Sequence, residues 1–169
     1  MSIEISDIFS GLASQQIPAL ISILSKANEH AKETGMTDKV MLAKRLHQDM
    51  HPLSWQLQTT VELIKRGASR LLKQEPANLV LDEDNFEALI GRITSIQNEL
   101  SNLDTATLDQ AADQTFEIPV GPDASLSLTG QDYVLKFLLP NVYFHLTTAY
   151  DLLRMQGVPV GKRDFMGPF

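Results

Sequence analysis

The sequence predicts an all-α protein: a four-helix bundle with a small β-hairpin inserted before the last helix. Three observations carry this. Apolar residues recur at three- and four-residue spacing along most of the 169 residues, which gathers them on one face of a helix. Between Gln114 and Leu128 the apolar period drops to two, as a half-buried strand requires. Helix start and stop signals fall at the edges of these segments. No repeat, low-complexity tract or linker divides the chain, so it reads as one domain, 1–169.

The first helix carries Phe9, Leu12, Gln16, Ile17, Ile21, Leu24, Asn28 and Ala31 at helical spacing and stops at Gly35. Pro18 lacks a backbone donor, so this helix should kink or begin anew near Gln16. The second segment runs from Asp38 to about Leu72. Pro52 interrupts it, which predicts a short helix to about His51 and a long one after, with the stripe Leu57, Val61, Ile64, Ala68 and Leu71. In the third helix, Asp84 with Glu87 three residues on reads as a capping pair. Its stripe is Phe86, Leu89, Ile93, Ile96, Leu100 and Leu103. Phe116, Ile118 and Val120, then Leu126 and Leu128, alternate with polar residues on either side of Gly121-Pro122-Asp123, giving the hairpin at about 114–128. Thr129, with Asp132 following, caps the last helix, which runs to about Gln156 before Gly157. The tail, 157–169, has apolar anchors Val158, Val160, Phe165 and Phe169 and should lie extended against the bundle. Within it, Lys162-Arg163-Asp164 reads as a salt-bridged clamp.

Composition narrows the function classes. With 14 Lys and Arg against 21 Asp and Glu, the net charge is −7, a poor match for nucleic acid or anionic lipid. The absence of cysteine excludes zinc–thiolate sites, iron–sulfur clusters and thiol catalysis. It also fits a reducing cytosol, the expected location. No uninterrupted apolar run approaches the ~20 residues of a membrane span, and the acidic start Met-Ser-Ile-Glu-Ile-Ser-Asp lacks the basic region of a signal peptide.

The last helix holds the chemistry of interest. Val134, Leu138, Asn141, His145, Thr148 and Leu152 share a stripe, and Leu135, Leu139, Val142, Leu146, Ala149 and Leu153 form a second beside it. A helix this apolar is central, so Asn141 and His145 should face inward, one turn apart, and need polar partners. Either they fix helix register through hydrogen bonds or they line a pocket. Gln56 is a further amide expected near mid-helix beside an apolar face. His47 and His51, four residues apart on the expected short helix, have a spacing that could grip a metal, although Gln48 and Asp49 suggest a polar edge. His30, near the end of the first helix, reads as a surface residue. Phosphate-loop, dinucleotide, zincin and serine-hydrolase motifs are missing, as are Glu-x-x-His pairs of the di-iron type.

Leu139-Pro140-Asn141-Val142-Tyr143-Phe144-His145, then Thr147-Thr148-Ala149-Tyr150-Asp151-Leu152-Leu153-Arg154 and Gly157-Val158-Pro159-Val160-Gly161-Lys162-Arg163-Asp164-Phe165, resemble a domain-of-unknown-function branch of the DinB/YfiT-like superfamily. Arg45 to Leu53, with Gln56 after it, is similar to a second signature of that branch. The resemblance covers essentially the whole chain. It implies a DinB-like bundle and a frequent dimer, but no known reaction. Many superfamily members are metalloenzymes, some of them thiol transferases, with one histidine ligand on the second helix and two in an H-x-x-x-H on the last. Here the resemblance puts Asn141 and His145 at the pair and Gln56 at the remaining place, with His51 a less natural match. Amides are weak ligands for zinc or nickel.

The expectation is therefore a non-metal pocket or polar network at Gln56, Asn141 and His145, with His51 near it and no resident cofactor. The alternative is a divalent-metal-dependent hydrolase or transferase of the DinB-like type, with Zn or Ni on His145 and His51 or His47. A third reading is a purely structural dimer. The expected partners are a second copy of the chain, with apolar residues such as Trp55, Tyr143, Phe137, Phe144 and Tyr150 to cover, and a small-molecule ligand.

Overall fold

Apolar stripes decide which helices meet. The computed structural model describes residues 3–75, 82–121 and 123–168. Pro122 and Phe169, named above, lie outside them. Helix α1 (Ile5–Gly11) passes through a π turn (Leu12–Gln16) into α2 (Ile17–Thr34). A short α3 (Asp38–Leu42) precedes α4 (Leu53–Leu71) and α5 (Phe86–Leu100). Then come a short α6 (Thr105–Gln110), strands β1 (Thr115–Pro119) and β2 (Ser125–Thr129), and the one-turn α7 (Gly130–Asp132). A second π turn (Tyr133–Leu138) leads into α8 (Leu139–Met155), and the short α9 (Lys162–Met166) follows. The fold is all-α with a small hairpin, α4 packing against α8, α2 against α5, and α4 also touching α5.

The stripes predicted for α4 (Leu57 to Leu71) and for α5 (Phe86 to Leu100) are buried throughout. Burying each such side chain contributes about 1.5–3 kcal/mol. The hairpin pairs Thr115 with Thr129 and Ile118 with Leu126, so alternate residues face the bundle and Ile118 is fully buried. Thr129 caps the last helical run by accepting from the Asp132 amide at 3.1 Å. Gly157 follows α8 in the left-handed region at φ 87°, where a side chain would be strained.

Both long helical runs carry a π turn just before a proline. The Ile17 amide reaches back five residues to the Leu12 carbonyl ahead of Pro18, and the Leu139 amide to Val134 ahead of Pro140. A proline cannot donate to the carbonyl four residues back and crowds it. The widened turn lets the helix continue, so the chain does not restart at Gln16. It also shifts the face each residue presents: Leu135, expected inside, is 47% exposed, while Val134 and Leu138 are fully buried.

Other expectations are corrected. The short helix ends at Leu42, not near His51. Pro52 holds an extended conformation at the start of α4, and residues 43–52 form turns closed by the Leu53 amide on the Lys44 carbonyl and by Arg45 on the Met50 carbonyl. His47 and His51 therefore do not share a helical face. Gln56 lies in the first turn of α4, not at mid-helix. The cap of α5 is Asn85, whose side-chain oxygen accepts from the Ala88 amide at 2.8 Å, while Asp84 receives the Asn85 side-chain N–H. Helix α5 stops at Leu100, short of Leu103.

Ile5–Thr34 is long and apolar enough to cross a membrane by length and composition, contrary to the reading of uninterrupted runs. Half of its most apolar window is buried in the bundle, as a core helix requires. The tail is not wholly extended: it forms α9. Asp164 accepts from the Gly161 amide at 2.7 Å and pairs with Lys26 at 2.6 Å, tying the tail to α2. These contacts hold the Asp164 carboxyl below the usual carboxylate range. Phe165 packs edge-on against Tyr150. His30 is half-buried, with Nε2 at 3.2 Å from the Gln156 carbonyl.

Candidate functional site

Helices α4 and α8 are the most extensively packed pair, and the buried polar residues of the bundle concentrate where they meet. Gln56 is 2% exposed and His145 9% exposed. The side-chain oxygen of Gln56 lies 2.8 Å from Nδ1 of His145. The Gln56 amide nitrogen donates to the His51 carbonyl at 3.2 Å, which fixes the orientation of the amide. Below it, Thr60 donates to the Gln56 carbonyl at 2.8 Å, so this turn of α4 keeps its buried hydroxyl satisfied.

This geometry assigns the proton on the imidazole. An amide oxygen only accepts, so Nδ1 of His145 must donate. In the neutral ring, Nε2 is then the lone-pair nitrogen. Burial lowers the pKa of His145 below its ordinary 6.5, and the charge of His51 pushes the same way. The neutral tautomer is therefore favoured, with an acceptor at Nε2, and no hydrogen bond to Nε2 is found among the described residues. Trp55 and Phe144 wall the ring edge-on, each with centroids 5.2 Å away. His51 stacks on the outer face of Trp55 at 3.9 Å.

The other expected site residues lie apart from this pair. Asn141 is half-buried, and its side-chain nitrogen donates to the Phe137 carbonyl at 2.7 Å, four residues back on its own helix. It does not join Gln56 and His145. His47 is exposed and bonded through Nδ1 to Asp49. His51 is exposed and contributes its carbonyl and ring face. Trp55 and Phe144, considered from sequence only as dimer contacts, form the ring walls. The four-residue spacing of His51 and Trp55 was the available signal, although His51 precedes the helix.

Zinc or nickel needs several imidazole or carboxylate donors converging on one point. Here Nδ1 of His145 and the oxygen of Gln56 satisfy each other, and the Asn141 amide is turned to its own backbone. Among the described residues, no group of three His, Cys, Asp or Glu side chains could hold an ion. The donor set does not fit such a metal.

The comparison with curated proteins gave no match. A crystal structure of a DinB family member protein from Shewanella denitrificans is similar to this chain, with a TM-score of 0.84 and 31% identity over 95% of this chain and 90% of that one. Residues 7–166 match a family model described as "Domain of unknown function (DUF1993)". The chain therefore belongs to the DUF1993 family, a domain-of-unknown-function branch of the DinB-like superfamily.

Proposed function

We propose that this bundle is a metal-independent small-ligand module whose recognition site is built on Gln56 and His145. The observation that carries the reading is the buried 2.8 Å hydrogen bond between them. It holds His145 as an acceptor at Nε2 among aromatic rings. The matching ligand is uncharged, brings an O–H or N–H to Nε2 and lays a flat body against Trp55 and Phe144. His51 lies at the rim and Asn141 one turn along α8.

The test is a thermal-shift panel of uncharged phenols, indoles and heteroaromatic amides on tag-free protein. A ligand at about ten times its Kd should add about 1.4 kcal/mol, or roughly 3–6 °C in Tm for a chain this long. The shift should vanish in His145→Asn. A flat panel, or equal shifts in both proteins, overturns the reading. Elemental analysis tests the metal-dependent hydrolase or transferase alternative: the expected content of Zn, Ni, Mn and Fe together is below about a tenth of an equivalent, since a resident structural or catalytic ion binds tightly. A content near one equivalent, lost with the same Tm drop on chelation, would replace this reading with the metal-dependent one.

A second reading concerns assembly. Leu135, Tyr143, Phe144 and Met155 on the last helical run are 47%, 39%, 59% and 55% exposed. Exposed apolar side chains concentrated on one element favour a covering partner. We propose a symmetric homodimer through this run. Light scattering at micromolar concentration should give about 38 kDa, twice the 18.8 kDa chain. A value of one chain mass overturns it.

A further inference from the structure

A groove of about 320 Å³ runs between α4 and the hairpin, bordered by Trp55. Its chemistry is unlike that of the rest of the molecule. In a chain of net charge −7, it is lined by two guanidinium groups, Arg66 and Arg70, against one carboxylate, Glu62. Glu62 is already paired with Arg66 at 2.8 Å. Among the described residues no carboxylate pairs with Arg70. Instead Arg70 lies over the Tyr133 ring, 5.3 Å from its centroid, and donates to the Tyr133 hydroxyl at 3.0 Å.

Tyr133 is 1% exposed. Burial raises its pKa, against the opposing pull of Arg70 and Arg66, so the phenol keeps its proton at neutral pH. Its oxygen accepts from Arg70, and its own hydrogen has no acceptor among the described residues. The groove thus presents a phenol O–H and the remaining guanidinium N–H groups with no acceptor for them among the described residues. A carboxylate would accept both. The walls beside this donor pair are apolar: Phe137, stacked on Tyr133 at 5.8 Å, with Ile118, Pro119 and Leu63. The volume is at the small end of ligand clefts, which run from about 300 Å³, and suits a single ring with a short acidic group.

We propose that this groove binds a small aromatic monocarboxylate, its carboxylate on Arg70 and the Tyr133 hydroxyl and its ring against Phe137 and Pro119. Its polar contacts, Arg70 and Tyr133, are distinct from the His145 pair, Trp55 borders both, and the proposal does not rest on the reading above.

Trp55 lines the groove and is the single tryptophan of the chain, so its emission reports occupancy beside calorimetry. The full chain is titrated with benzoate, with benzamide as the uncharged control and acetate as the control lacking a ring. Benzoate should saturate one site, with both controls weaker by about tenfold or more, a difference of about 1.4 kcal/mol. Arg70→Met should weaken benzoate about tenfold and Tyr133→Phe about fivefold, as loss of a charged and of a neutral donor predicts. Tyr133→Phe keeps the buried ring, so it remains informative if Arg70→Met fails to fold. Absence of saturation, benzamide or acetate binding as well as benzoate, or wild-type affinity in Tyr133→Phe would each overturn the assignment.

Discussion

Gly130→Ala should destabilise the fold by about 3 kcal/mol or more, lowering Tm by roughly 6–12 °C for a chain of this size. Gly130 joins the hairpin to the last helical run. Its amide donates to the Gln114 carbonyl at 2.8 Å, and the next amide, of Gln131, donates to Ala112 at 3.0 Å. A Cβ on Gly130 would stand 2.1 Å from the Ala111 carbonyl oxygen, 2.9 Å from its carbon and 3.3 Å from a Leu71 methyl. The first two obstacles are backbone, and Ala111 is fully buried. Relief would require the hairpin to lift from the α6 end, breaking the two amide bonds that set the entry into the last helix. The effect matters beyond stability, because Tyr133 begins three residues later. Gly91→Ala is the control: in the interior of α5, with nothing within 4 Å of the new methyl, it should stabilise by about 0.5–1 kcal/mol. Urea unfolding of the two variants beside wild type measures both signs. Gly130→Ala unfolding at the wild-type midpoint would contradict this close approach.

The two long apolar stripes, the hairpin and the Thr129 cap were legible because each depends on neighbours within a few residues. Helical and strand periods are local properties, and the residues at 57–71 and 86–100 obey them. The π turns were not legible. Pro18 announced trouble, yet whether the chain breaks, kinks or widens depends on the surrounding bundle holding the helix straight. The cost of missing the second π turn is visible at Leu135, assigned to a buried stripe by a 3.6-residue period that the π turn does not keep. Residues 43–52 misled for a different reason: their composition tolerates helix, and the extended Pro52 decides against it. Short α6 has one fully buried apolar side chain, Leu108, too little pattern to register. At the site, Gln56 and His145 stood out singly as polar groups on apolar faces. Their pairing spans 89 positions and follows from how α4 packs on α8. Asn141 was grouped with them by period alone, and a backbone carbonyl on its own helix takes its amide instead. The groove beside Arg70 and Tyr133 gave no sequence signal, since its two donors come from separate elements and neither belongs to a short motif.

Substituting His145 should remove an acid sensitivity of folding as well as stability itself. The imidazole is buried and its pKa is lowered from 6.5 by burial, with the His51 charge adding to the effect. In the unfolded chain it returns to about 6.5. Between those two values the unfolded state binds the extra proton, so stability falls as pH drops. The contribution is complete above about pH 6.5 and is lost progressively as pH falls from there through the lower folded value. Protonation would also place a charge that the His51 Coulombic effect opposes, with no carboxylate at Nε2 among the described residues to offset it. His145→Ala at about pH 7.5 should cost roughly 2–4 kcal/mol, from the cavity left under Trp55 and Phe144 and from the Gln56 oxygen deprived of its donor. His145→Gln offers an amide N–H to the same oxygen without titrating, so it should recover part of that loss. Chemical unfolding of all three proteins at about pH 7.5 and 5.5 separates the terms. Wild type should lose more stability on acidification than either variant, and the excess is the His145 contribution, since the other histidines are common to all three. An equal loss in the three proteins would mean that His145 titrates alike in folded and unfolded chains, and the neutral Nδ1–H tautomer on which the ligand reading depends would fall with it.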